Sequence, residues 1–348
     1  MSPAALKRRP DGALKQRPDD AVTRRPDGVS PGAVKRRPGS EILAPPPGRQ
    51  GPGPIVEGLL DAIDLMVVRL IARGLPGDWR AAGVGRGTEL ARLRPYEPGD
   101  DVRHIDAAAT ARTGQPHVRL HVPERAITTW ILLDVSPSMA FGTAERLKAD
   151  VAEGVAMVLA RLAIKRAGSV GMVAFGAGEP IVLPPRGSRP GIVAVQSLLA
   201  AGVGRDGQSE PRALAGALER LLSLTNRPGL VALVSDFRDQ QDWARALTGV
   251  AARHCLMAVE VHDPREAVLP AVGRIALVDP ESGQRVEVDT SSGRVRAKFE
   301  ELERRRREEL AADLRRVHVP HVAVGTDEDW LLALARGLSV KRGGQALG

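Results

Sequence analysis

The sequence predicts an α/β protein built on a doubly wound, mainly parallel sheet. Three observations point there. Apolar runs without alternation recur along the chain: TTWILLDV (128–135), SVGMVAF (169–175), LVALVSDF (230–237) and HCLMAVEV (254–261). Such runs suit strands buried on both faces. The segments between them carry helical spacing, and strands alternating with helices imply parallel neighbours joined by crossovers. The 348 residues are 43% hydrophobic but only 3% aromatic, so the core must come from Leu, Val, Ala and Ile.

Residues 1–54 stand apart. ALKRRPDG (5–12), ALKQRPDD (13–20) and AVTRRPDG (21–28) repeat at a period of 8, and AVKRRPGS (33–40) returns after a spacer. Each unit has too few apolar side chains to bury, and the period is far shorter than a solenoid repeat. This reads as a disordered basic arm, continued by the linker APPPGRQGPGP. Residues 1–49 hold 11 Lys/Arg and 5 Asp/Glu, so the arm carries +6 of the chain's net charge of +8. The near-neutral body therefore does not read as a nucleic-acid binder, although the arm could contact phosphates.

Next, residues 55–77 read as an amphipathic helix. Its apolar positions 55, 56, 59, 60, 63, 66, 67, 70 and 71 follow a 3.6-residue period, and Pro76-Gly77 stops it. It is expected to dock on the body. Charges at Glu57, Asp61, Asp64, Arg69 and Arg73 exclude a bilayer span. The segment 78–127 is polar and β-rich, with a strand at 117–122. The main domain is expected over 128–340, with helices at 144–166, 190–201, 212–224, 239–252, 293–316 and 327–337. A β-hairpin insertion fits 265–290 and a last strand 317–324. The single cysteine, Cys255, excludes a disulfide framework and a Cys-based metal site. With no secretory pattern at the start, the expectation is a cytoplasmic protein.

In open α/β sheets the ligand crevice lies beyond the carboxyl ends of the strands. Two buried runs end there in acidic residues, as Asp134-Val-Ser136-Pro-Ser138 and as Ser235-Asp236. Two carboxylates and two hydroxyls make an all-oxygen set that suits a hard cation, Mg²⁺ above all. Neutral hydroxyl ligands leave such an ion residual positive charge, so it can accept a carboxylate from another protein. Asp134 and Ser136 equally suit capping of a following helix, and spacing alone leaves both open.

DVSPSMAFG resembles the metal-ion-dependent adhesion motif of von Willebrand factor A-type domains. The preceding RPYEPGDDVRHIDAAATARTGQPHVRLHVPER (94–125) is similar to the signature of the bacterial family called domain of unknown function 58, as are LVSDF (233–237) and VDPESGQRVEVDT (278–290). The resemblance spans roughly residues 78–340 and implies a von Willebrand A-like fold. Members often carry two N-terminal membrane helices, and no stretch here reads as one. They are commonly paired with a MoxR-type AAA+ ATPase, which implies adaptor work rather than catalysis, with a protein client. Carried over, the metal ligands would be Asp134, Ser136, Ser138 and Asp236. The motif also expects a threonine before a helix like LAGAL (214–218). None stands there; Ser209 is the nearest hydroxyl, and Arg212 is expected to repel a cation. Ala107 stands where the family usually has tryptophan.

Within the signature, Asp100, Asp101, Arg103, Asp106 and Arg112 read as a salt-bridged clasp onto the sheet, or else as a partner-facing surface. Other motifs carry less. GVGRG (83–87) lacks the strand before it that a nucleotide loop needs, and no P-loop or G-x-S-x-G elbow is present. His117 and His121 would share a strand face without further ligands. The run 301–316 reads as a solvated helix. A Mg²⁺-dependent phosphoryl-transfer enzyme on the same fold is the rival reading, weakened because no Lys or general base stands at suitable spacing.

Overall fold

The computed structural model describes residues 50–75, 92–96, 105–120, 127–202, 212–239 and 243–339. The repeat arm (1–49), the GVGRG run, Asp100, Asp101, Arg103, His121 and Ser209 lie outside the described residues.

The main sheet has six strands. In chain order they are β3 (Thr128–Asp134), β4 (Ser169–Phe175), β5 (Ile181–Gly187), β6 (Leu230–Ser235), β7 (Cys255–His262) and β10 (His321–Gly325), arranged β10-β7-β6-β3-β4-β5. All neighbours are parallel except β4 and β5. The doubly wound, mainly parallel α/β sheet is thus present. Four of its strands are the four apolar runs, because a strand covered on both faces needs hydrocarbon at every position. On β3, Ile131 and Leu133 enter one core while Trp130 and Leu132 enter the other.

The first core is covered by α1 (Glu57–Gly74), α3 (Lys148–Lys165), α4 (Ser188–Leu199) and α8 (Trp330–Ser339). The second is covered by α5 (Ala213–Leu224), α6 (Ala244–Ala251) and α7 (Gly293–Arg316). Leu60, Ile63, Val67 and Ile71 of α1 are buried in the first core, so this helix docks on the body. Each side chain so buried contributes roughly 1.5–3 kcal/mol. A Cβ on Gly74 would lie 2.6 Å from Cys255 Sγ, so glycine permits the close approach of α1 to β7. Among the described residues, no helix is long and apolar enough to cross a membrane.

Several elements differ from expectation. Strand β5 was not foreseen: IVLPPRG contains two prolines, which suit only an edge, and its exposed face lacks an apolar run. The strand expected at 317–324 begins only at His321. Before it the chain leaves α7 by a turn at Val317 and His318, the latter at φ +57°. Residues 50–54, expected as free linker, meet the body: Trp330 Nε1 donates to the Pro52 carbonyl (2.8 Å) and the Gln50 amide to Asp150 Oδ2 (3.2 Å).

Among the described residues, two small antiparallel pairs lie outside the main sheet. One joins β1 (Arg92–Pro95) to β2 (His117–Leu120), and the other joins β8 (Arg274–Val278) to β9 (Arg285–Asp289). Between β1 and β2 lies the short helix α2 (Ala107–Thr113).

Candidate functional site

Strands β3, β4 and β5 run outward from the sheet centre in one direction, and β6, β7 and β10 in the other. The order reverses between β3 and β6, where an open sheet forms its crevice. Asp134 ends β3, and Ser235-Asp236 ends β6, so the two acidic strand ends are neighbours at this point.

Asp134 Oδ1 accepts from the Ser136 amide (2.9 Å), and Oδ2 accepts from Ser235 Oγ (2.6 Å). Ser136 leads into the 3₁₀ turn Pro137–Ala140, which sets its Oγ 3.0 Å from Ser138 Oγ. The Ser138 hydroxyl in turn faces Asp236. The four expected ligands Asp134, Ser136, Ser138 and Asp236 are therefore together, all buried. Two backbone features hold them. Gly176 sits at φ +100°, and a Cβ there would lie 2.9 Å from Asp134 Oδ1 and 2.8 Å from Ser136 Cβ. Phe237 adopts φ +53°, costly for a residue bearing a Cβ, and is held by the hydrogen bond its backbone N–H donates to Ser235 Oγ (2.9 Å) and by its packing on Trp243.

Sequence reasoning missed the cation already present. Lys148, the first residue of α3, is fully buried, and its Nζ donates to Asp236 Oδ2 and Glu266 Oε1, each at 2.6 Å. Arg238 lies 3.1 Å from Glu266 and 3.2 Å from Glu303. Glu303 also pairs with Arg306 and Arg307, so the inner side of α7 is an ion-pair seam, not a wholly solvated face. Asp263, just past β7, accepts from the Thr143 amide (2.7 Å), Thr143 Oγ1 (2.6 Å) and Thr326 Oγ1 (2.6 Å). It ties the loop before α3 to the end of β10. A basic residue opening a helix reads in sequence as solvated; only the meeting of three strand ends buries Lys148.

The two aspartates titrate in opposite directions. Burial pushes Asp134 up to about 7, with the neighbouring Asp236 charge adding to it and hydrogen bonds from Ser136 and Ser235 opposing it. Burial acts upward on Asp236 too, but the Lys148 ammonium outweighs it and leaves that carboxyl below the usual range. Lys148 is raised: burial works against its charge, and Asp236 and Glu266 overcome this.

This donor set fits a small hard cation. It offers carboxylates and hydroxyls only, and Asp134 sits buried beside a second carboxylate, a strain that a divalent cation reverses. Arg212 does not stand in the way, contrary to expectation: its side chain is exposed and pairs with Glu219 at 3.3 Å. The amide of Leu214, at the start of α5, is instead bonded to Asp239 (3.3 Å).

Of the signature residues that are described, Asp106 caps α2, its Oδ1 accepting from the Ala109 amide (2.7 Å), and is buried. Arg112 is exposed in the last turn of α2. His117 Nδ1 lies 3.0 Å from Thr113 Oγ1, an ordinary local contact.

Comparison with known proteins adds a family. Uncharacterized proteins of Mycobacterium tuberculosis and Mycobacterium bovis are each 33% identical over 301 residues, covering 85% of this chain and 92% of theirs. Among solved structures, the conserved hypothetical protein BatB from Bacteroides thetaiotaomicron is similar over 61% of this chain and 97% of its own, with 16% identity and a TM-score of 0.38. A von Willebrand factor type A structure from Catenulispora acidiphila matches over 62% and 43%, with 14% identity and a TM-score of 0.36. The family model described as "Protein of unknown function DUF58" matches residues 92–309, and the chain belongs to that family.

Proposed function

We propose that this protein is a non-catalytic protein-binding adaptor whose sheet edge holds a divalent cation, Mg²⁺ first, and through it engages a carboxylate of a partner. Asp134, Ser136, Ser138 and Asp236 would hold the ion, with Ser209 as a candidate further ligand. Bound there, the ion would supply a positive charge with ligand positions left for another protein. The observation that carries this reading is Asp134 itself, buried next to Asp236 with its carboxyl raised to about 7. That position is costly for a carboxylate without a counter-charge.

The rival phosphoryl-transfer reading gains a lysine at the site, yet Lys148 favours the adaptor. Its ammonium is fully buried and engaged by two carboxylates, which leaves at most one of its three N–H groups for a phosphate. The family resemblance supports a MoxR-type AAA+ ATPase as the partner, with a protein client, in the cytoplasm. The body's small net charge argues against nucleic acid as the main ligand.

The test is a pull-down of the cognate AAA+ ATPase by the full chain with Mg²⁺ or with EDTA, beside Asp134→Ala. Retention in Mg²⁺, and loss both in EDTA and in a folded Asp134→Ala variant, is the expected outcome. Equal retention in all three contradicts the cation-edge reading.

A further inference from the structure

The site has a visitor from its own chain. The turn joining β8 to β9 brings Glu281 over the 3₁₀ turn, where its Oε1 accepts from the Ser138 amide at 3.2 Å. Its other oxygen, Oε2, is buried and has no hydrogen-bond partner among the described residues. A buried carboxylate oxygen without a donor is costly, and that cost points to a missing positive partner. Glu281 forms no ion pair with a Lys, Arg or His among the described residues, unlike Glu266 and Glu303 nearby.

The hairpin is built to present it. At the tip, the Asp279 carbonyl accepts from the Gly283 amide (2.8 Å), and Asp279 Oδ1 accepts from the Glu281 amide (3.0 Å). Gly283 supplies the φ of +71° that closes the turn. At the base, buried Thr290 bonds Gly273 and Val272. Among the described residues, the hairpin between base and tip pairs only with itself, and Val278 and Val286 are more than half exposed. The hairpin is thus fixed at its base and touches down at its tip through Glu281.

We propose that Glu281 is a built-in occupant of the cation edge, filling the place of a partner's carboxylate, so that a docking protein must present an acidic side chain and displace the 279–284 tip. This rests on the cation-edge reading. Such an internal ligand lowers the apparent affinity of every partner by the same factor, so only a partner whose carboxylate binds tightly enough to displace the tip is retained.

Hydrogen exchange on the full chain tests it, with Mg²⁺ or EDTA, for wild type, Glu281→Ala, Glu281→Gln and Asp134→Ala. In wild type, Mg²⁺ at a hundred times its Kd is expected to slow exchange about 100-fold in both 136–140 and 274–289, if opening of either segment releases the ion. In Glu281→Ala the slowing persists at 136–140 and disappears from 274–289, with Glu281→Gln in between. Asp134→Ala loses it in both segments. Slowing at 274–289 that survives Glu281→Ala overturns the proposal and leaves the cation edge standing. No Mg²⁺ effect at 136–140 in wild type overturns both.

Discussion

Asp134 and Asp236 end adjacent parallel strands, both buried, yet their carboxyls are displaced in opposite directions. The difference lies in what the next element delivers. Helix α3 begins with Lys148, whose ammonium lies 2.6 Å from Asp236. Among the described residues, the donors that Asp134 receives are neutral and come from Ser136 and Ser235. Burial penalises both carboxylates; the full opposite charge of Lys148 offsets that penalty at Asp236, and the neutral hydrogen bonds present at Asp134 do not offset it there. The β6 end is electrostatically complete, whereas the β3 end is one positive charge short.

The largest effect is expected from removing the charge that separates the two ends. Lys148→Met leaves buried Asp236 and partly buried Glu266 without their ammonium, and should destabilise the fold by about 3–5 kcal/mol in denaturant unfolding at pH 7. A loss no greater than that of Lys165→Ala would break the comparison. Lys165 also makes a 2.6 Å ion pair, with Asp61, but both side chains are more than half exposed, and its removal should be barely measurable.

A smaller effect, of opposite sign, is expected at the β3 end. The Asp134 carboxyl rises on folding, so the folded state binds the extra proton between about pH 4 and pH 7. Stability from this group is therefore present at low pH and lost as pH rises through that window. In EDTA, Asp134→Asn should match wild type near pH 4 and become the more stable of the two as the pH rises through 7. Asp236 runs the other way, contributing stability at neutral pH that is lost on acidification, so the difference between the two proteins is the quantity to plot. A constant difference across pH 4–8 would mean that Asp134 is not the raised group.

The legible and illegible parts of this site divide on physical grounds. Asp134 and Asp236 stood out because an acid closing an apolar run is conspicuous, and strand ends lie at the sheet edge whatever the side chains nearby. Their supports did not. Lys148 is 88 residues from Asp236, and Glu266 lies in a turn that reads as surface. Pairings at that separation are set by strand order, which periodicity does not encode. Glu281 belonged to a segment recognised by resemblance, yet its contact with Ser138 spans 143 residues. Strand β5 was hidden by Pro184 and Pro185, which local propensity reads against a strand although an edge tolerates them. Arg212 misled in the opposite way. Proximity in sequence suggested a charge in the site, and a 3.3 Å surface pair with Glu219 takes it away.

The proposed cation edge requires that a divalent cation supply the charge missing at Asp134. Calorimetric titration of the full chain with Mg²⁺, in two buffers of different ionisation enthalpy at pH 6.5, measures binding and proton release together. Binding with release of a substantial fraction of a proton is expected, because Asp134 is largely protonated there and must ionise to act as ligand. The release should vanish at pH 8, and Asp134→Asn should remove both binding and release. Mg²⁺ binding that is unchanged in Asp134→Asn, or no binding by wild type at either pH, would contradict it.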